Sequence, residues 1–246
     1  KSNIDYFNEA LGRSGDIKTH EFLFGKNCEF SAALIYIDGL VNNALITESI
    51  IKPLILNKNL CGDPAFGILK TIETITDTML CSGDVQRTKL MSDLINGCFS
   101  GDTVMFVDGI DQALIINSKG WEKRSVTEPS TEVVVRGPRE GFTENLRTNT
   151  ALLRRRIKNE QFRLDHMVVG KRTRTTVCIA YLKDIASPEI VKDLKRRLNM
   201  LNVDSIIDSG YIEQYIEDNP FSMYSTIGAS EKPDVVTGKV LEGRIA

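Results

Sequence analysis

The sequence predicts an α/β protein made of two mixed α/β subdomains joined by a linker, the second carrying a parallel β-α-β unit. Three observations lead there. Stretches rich in β-branched and aromatic residues alternate with segments whose apolar residues recur every three or four positions. A polar stretch with a proline, SVTEPSTE at 125–132, separates two segments that each have their own apolar inventory. Finally, 175–182, 187–201 and 203–207 read as strand, helix and strand, an order that implies a parallel pair with a right-handed crossover. The subdomains are expected at 1–127 and 128–246. A domain usually takes roughly 100–200 residues, so two fit.

Taken in order, residues 1–11 form a short helix with Ile4, Phe7 and Leu11 on one side, and 12–16 break it. Strands are expected at 17–24 and 28–37, the second ending at Asp38-Gly39. Leu45, Ile46, Ile50 and Ile51 repeat at helical spacing, with Pro53 limiting that helix. Residues 71–81 alternate threonine with Ile72, Ile75 and Met79, and at least the second half reads as a strand. A helix over 85–99 would turn Leu90, Leu94, Ile95 and Cys98 inward. Strands at 103–107 and 112–117 then meet through Asp108-Gly109, a strong hairpin signal.

Beyond the linker, 133–136 is extended and Gly137-Pro138 punctuates the chain. Thr143 is a plausible helix N-cap with Glu144 in the first turn, where negative charge suits the helix dipole. Phe142, Leu146, Leu153 and Ile157 form one stripe to bury. Arg154, Arg155, Arg156 and Lys158 cannot all share it, so most should face solvent or a partner. Ser187 is a good N-cap with Pro188 at the first helical position, and Ile190, Leu194, Leu198 and Leu201 would face inward. Asp208 caps a further helix that ends near Asn219-Pro220. Residues 235–241 are helical, Gly243 stops them, and Arg244-Ile245-Ala246 begins a strand, so more protein is expected downstream.

Composition excludes several function classes. The five cysteines are Cys28, Cys61, Cys81, Cys98 and Cys178, none within four residues of another, and neither His20 nor His166 lies in a metal-binding spacing. No metal and no cofactor is expected, and free thiols in a reducing compartment are. The longest apolar run, 32–37, is far short of the ~18–20 residues of a membrane span, and no signal peptide is visible. Charge is uneven: residues 136–174 hold eleven Arg/Lys against four Asp/Glu, a local +7 in a chain of net charge −2, which leaves −9 elsewhere. That asymmetry predicts an electrostatic contact surface without naming its partner.

The stretch Arg136-Gly137-Pro138-Arg139-Glu140-Gly141, with the basic segment behind it, is the candidate site. A glycine loop ahead of a helix can present amides to phosphate. This one lacks the Lys-Ser/Thr of a P-loop and the spacing of a dinucleotide loop, and Pro138 removes a donor. A turn that locks a linker against the next helix is the better reading. Aromatics for base stacking are sparse, Phe142 and Phe162 only, so no nucleic-acid partner is expected. Asp108, Asp111, Glu140, Asp184 and Asp208 sit in no acid–base context and no GxSxG occurs, so no enzyme is specified.

At GPREGFTENLRTNTALLRRRIKN (137–159) the sequence resembles the A-subunit family of bacterial spore germinant receptors, the GerA family, which also includes related sporulation membrane proteins. SGDTVMFVDG (100–109), DIASPEIVKDLKRRL (184–198) and KPDVVTGKVLEGRIA (232–246) resemble the same family at corresponding places. The resemblance implies a soluble N-terminal region ahead of membrane helices in a nutrient-sensing germination receptor. It implies a spore inner-membrane protein with this region on the core, cytoplasm-like side. Implied partners are B and C subunits, further A subunits in a ring-like channel, and nutrients such as amino acids or sugars. Implied output is ion release and the end of dormancy. No catalytic residues come with it. Arg136, Gly137, Pro138, Arg139, Glu140, Gly141 and Arg147 are expected to set inter-domain geometry or make binding contacts. A signalling and assembly module is the favoured class; a module closing a cleft between the subdomains on a small nutrient is the alternative.

Overall fold

The computed structural model describes residues 2–24, 30–56, 76, 84–120, 137–219 and 226–246. Apart from residue 76, the expected strand at 71–81 lies outside the described residues, as do the linker at 125–132, the extended 133–136 and Arg136 itself. The chain divides into two compact units, Lys1–Glu122 with Lys158–Glu160, and Lys123–Ile157 with Gln161–Ala246. Both are mixed α/β.

In the first unit, β1 (Ile17–Phe24), β2 (Phe30–Ile37), β3 (Val85–Thr88), β4 (Thr103–Val107) and β5 (Ala113–Ile116) make one antiparallel sheet in the order β1-β2-β4-β5-β3. The expected hairpin is present, with Thr103 opposite Ile116 and Gly109 turning at φ +79°. Leu34, Met105, Leu114 and Ile116 project from the sheet into the core, all fully buried. Helix α1 (Ser2–Ala10) buries Phe7, whose ring meets Phe106 edge-on at 5.4 Å.

The segment from Asn43 is helical through Pro53. An α-helical turn (Asn43–Leu45), a π-helical stretch (Ile46–Ile51) and a last α-helical turn (Lys52–Leu56) together form α2. Pro53 therefore does not end the helix. The widened turn, with Lys52 N–H reaching back to Thr47 C=O, admits a residue that an ordinary α-turn would exclude. The expected helix over 85–99 is likewise two elements. Residues 85–88 pair with β5, and α3 (Met91–Phe99) starts after Thr88, whose hydroxyl accepts from Leu90 N–H and bonds Asp93. Leu94 and Cys98 are buried as expected; Leu90 precedes the helix and is exposed.

The second unit is built on a two-stranded antiparallel ribbon, β6 (Phe162–Val169) and β7 (Thr175–Leu182), in register from Phe162↔Leu182 to Val169↔Thr175. On one face, Phe162, Leu164, Ala180 and Leu182 pack with Leu153 and Ile157 of the α4 region (Leu146–Arg156) and Val240 of α7 (Pro233–Leu241). On the other, Val169 and Ile179 pack with Leu198 of α5 (Pro188–Met200), Ile206, and Ile212 and Ile216 of α6 (Ser209–Ile216).

The expected parallel β-α-β unit is absent from this ribbon. Residues 203–207 are not a strand. Their backbone bonds go to the β6–β7 turn: Lys171 N–H to Val203 C=O (2.9 Å), Arg172 N–H to Asp204 C=O (2.8 Å) and Ile206 N–H to Thr173 Oγ1 (3.1 Å). The partner of β7 is instead the strand just before it, and a link as short as Gly170–Arg174 permits only antiparallel pairing. Two further details move. Val191, not Ile190, takes the inward position of α5, and Ser187 sits at its N-cap without a side-chain bond. Asp208 caps α6 as expected, and Gly243, at φ +90°, ends α7. Ala246 and Ala180 then exchange both backbone bonds (2.7 and 2.9 Å), the pairing of an antiparallel ladder.

Candidate functional site

Helix α4 and the loop before it form one hydrogen-bonded piece. Its N-cap is Asn145, not Thr143: the Asn145 carboxamide oxygen accepts from Arg147 and Thr148 N–H at 2.9 and 3.2 Å. Thr143 acts one step earlier. Its N–H donates to Asn149 Oδ1 (2.7 Å), its carbonyl accepts from Asn149 Nδ2 (2.6 Å), and its hydroxyl accepts from Asn145 N–H (3.3 Å). Phe142 N–H donates to the Glu231 carbonyl (2.8 Å), tying the loop to the approach to α7. The amides of Phe142, Thr143, Asn145, Arg147 and Thr148 are thus already engaged within the protein, which argues against an anion site at the start of α4.

Gly137, Pro138 and Arg139 are exposed, Glu140 is half-buried and Gly141 is buried. Gly137 holds φ +128°, a conformation natural to glycine, with open space where a side chain would stand. Glu140 turns onto the far end of α4, where Arg156 Nη2 donates to Oε2 at 2.6 Å and Arg155 Nη1 to Oε1 at 3.4 Å. All of these residues belong to the same unit. Arg147 lies at the opposite end of α4 and is exposed.

The basic run is therefore not a free cationic face. Arg154 is only 1 % exposed; it donates to the Phe162 carbonyl (3.2 Å) and its guanidinium sits 4.8 Å from the Phe162 ring centroid. The structure brings Glu140 together with Arg155 and Arg156, two of the four basic residues of which most were expected to face solvent or a partner. It also brings in Asn145 and Asn149, which the sequence reading passed over. One signal was available: an Asn two residues past Thr143 is as good a cap as the threonine, and Asn149 is placed one turn further on.

The ribbon's other face carries a tight polar cluster. Asp165 Oδ2 accepts from Tyr181 Oη (2.9 Å) and Lys195 Nζ (2.6 Å). Burial, and then the Asp165 carboxylate, push Tyr181 above the ordinary tyrosine range. For Lys195, burial opposes the charge but Asp165 outweighs it, so its pKa is raised. Through these two bonds Asp165 of β6 ties Tyr181 of β7 and Lys195 of α5 together, a cross-link between the three elements. Among the described residues, no group of His, Cys, Asp and Glu is arranged to hold a metal, and no helix is long and apolar enough to cross a membrane.

With this geometry in hand, comparison with known proteins defines the class: the chain belongs to the Bacillus/Clostridium GerA spore germination protein family, whose profile matches residues 5–246. It is 40 % identical over 244 residues to spore germination protein KA of Bacillus subtilis (strain 168), covering 99 % of this chain and 44 % of that protein. It is 37 % identical over 251 residues to spore germination protein B1 of the same organism, covering 100 % of this chain and 49 % of that one. The chain thus spans a little under half the length of these relatives. Among solved structures, it matches the N-terminal domain of the A subunit of the Bacillus megaterium spore germinant receptor GerK3 with a TM-score of 0.73. The identity is 34 %, covering 99 % of this chain and 88 % of that one.

Proposed function

We propose that this chain is the N-terminal signalling and assembly region of a nutrient-sensing spore germinant receptor A subunit. The observation that carries the reading is the match to the N-terminal domain of the GerK3 A subunit over 99 % of the chain. In this reading the region contacts B and C subunits and further A subunits of a ring-like assembly. It lies on the core side of the spore inner membrane, and relays nutrient binding to ion release through membrane segments that belong to the whole protein.

The loop Arg136–Gly141, with Arg147, sets the geometry of the region. Glu140 clamps the loop to α4, which leaves Gly137, Pro138 and Arg139 exposed at one fixed place. Arg139 is the contact residue in this scheme and Glu140 the residue that positions it. Arg139→Ala in the complete receptor is expected to leave the isolated region folded while impairing receptor assembly or the nutrient response. Normal receptor levels with a normal response would refute this role. Direct nutrient sensing by the region makes a different prediction: saturable, stereospecific NMR shifts with amino acids or sugars at millimolar concentration or below.

A further inference from the structure

The arginine run at the end of α4 is not an open cationic face, because Arg154 is buried and Arg155 and Arg156 hold Glu140. Elsewhere in the segment Arg139, Arg147 and Lys158 are exposed singly along the chain, whereas the turn between β6 and β7 gathers Lys171, Arg172 and Arg174 within four residues, all exposed. Among the described residues the ion pair at this turn is Arg172 with Asp204 at 3.3 Å, and both of those side chains are mostly in water.

The turn is braced. Besides the four bonds between residues 171–173 and the 203–206 segment, Arg174 N–H donates to the Gly170 carbonyl at 3.1 Å, and Arg174 sits in the left-handed region at φ +46°. The cations are therefore presented from a fixed backbone. Two apolar side chains flank them. Val168, 63 % exposed, lies on β6 beyond the part of that face that α4 and α7 cover. Ile207, 73 % exposed, directly follows the residue bonded to Thr173 and Thr175.

We propose that this turn, with Lys171, Arg172 and Arg174 flanked by Val168 and Ile207, docks onto an anionic phospholipid surface. Five side chains cover far less than the ~800 Å² per partner of an ordinary protein interface. The same five suit a membrane surface, where each basic residue improves partitioning about fivefold and short apolar side chains enter the headgroup boundary. Of the acidic residues in the adjoining segment, Asp204 pairs with Arg172 and the Asp208 carboxylate caps α6.

The test is co-sedimentation of the 246-residue chain with vesicles of 70 % phosphatidylcholine and 30 % phosphatidylglycerol at low salt, with pure phosphatidylcholine vesicles as control. Retention is expected on the anionic vesicles alone. It should fall roughly 100-fold in the triple variant Lys171→Gln, Arg172→Gln, Arg174→Asn, where asparagine tolerates the left-handed conformation. It should fall severalfold in Ile207→Ser, which keeps the proposal testable if the triple variant does not fold. Equal retention on both vesicle types, no retention on either, or unchanged retention in the variants overturns it. Retention on a polyglutamate resin without retention on vesicles overturns it too, in favour of an acidic protein partner.

Discussion

Replacing Glu140 by glutamine removes the negative charge between two guanidiniums and keeps the side chain's size. The two bonds are unequal. The one to Arg156, at 2.6 Å, is a short charge-assisted contact to a side chain only 19 % exposed; the one to Arg155, at 3.4 Å and 32 % exposed, adds little. A well-buried bond of the first kind is worth about 1.5–3 kcal/mol. Glu140 itself is 35 % exposed, and solvent screening brings the expected loss to about 1–2 kcal/mol. For a unit of this size that is a fall in Tm of about 4–8 °C. Urea denaturation followed by far-UV circular dichroism reads it directly, and a double-mutant cycle with Arg156→Met should return a coupling of about 1 kcal/mol. Stability of Glu140→Gln within about 0.3 kcal/mol of the parent, with no coupling, would refute the clamp.

Three further outcomes are expected. Arg154→Ala should cost about 2–4 kcal/mol in the same urea assay, since it opens a cavity beside Phe162 and takes from that carbonyl the nearer of two guanidinium donors. Gly137→Ala should cost about 1 kcal/mol through backbone strain alone, and the larger Gly137→Val no more than a further ~1 kcal/mol, because the space around it is open. In the first unit, burial raises the pKa of Asp102 while Lys119, 3.2 Å away, restrains it. A carboxyl with a raised folded pKa favours folding most when protonated, so Lys119→Met should destabilise by roughly 1 kcal/mol at neutral pH. That cost should shrink as pH falls through the raised pKa toward 3.8, which stability measured across pH 7 to 4 checks.

Elements defined by local patterning were legible in the sequence. The Asp108-Gly109 hairpin, the strand Thr175–Leu182, the Pro188 helix start and the Gly243 stop each follow from short-range chemistry. The failures came where tertiary partners overrode a local signal. Residues 203–207 have strand composition, but Thr173, Thr175 and the amides of the neighbouring turn take their bonds, so Ile206 is buried as a plug rather than paired in a ladder. The candidate loop was found through its glycines and proline. Its internal lock was not, because Glu140 and Arg156 are sixteen residues apart and a run of arginines reads as a solvated face until a carboxylate is seen to meet it. The burial of Arg154 was hidden for the same reason: its partners, the carbonyl and ring of Phe162, belong to the strand that the sequence reading did not expect.

If the Glu140 lock serves a germinant receptor, reversing its charges should be felt in the spore. Spores whose A subunit carries Glu140→Arg, alone or with the compensating Arg156→Glu, test it most directly when receptor level and nutrient-triggered ion release are measured together. The single substitution should lower the nutrient response, and the charge exchange should restore at least part of it. A full response from spores with the single substitution, at normal receptor level, would contradict it.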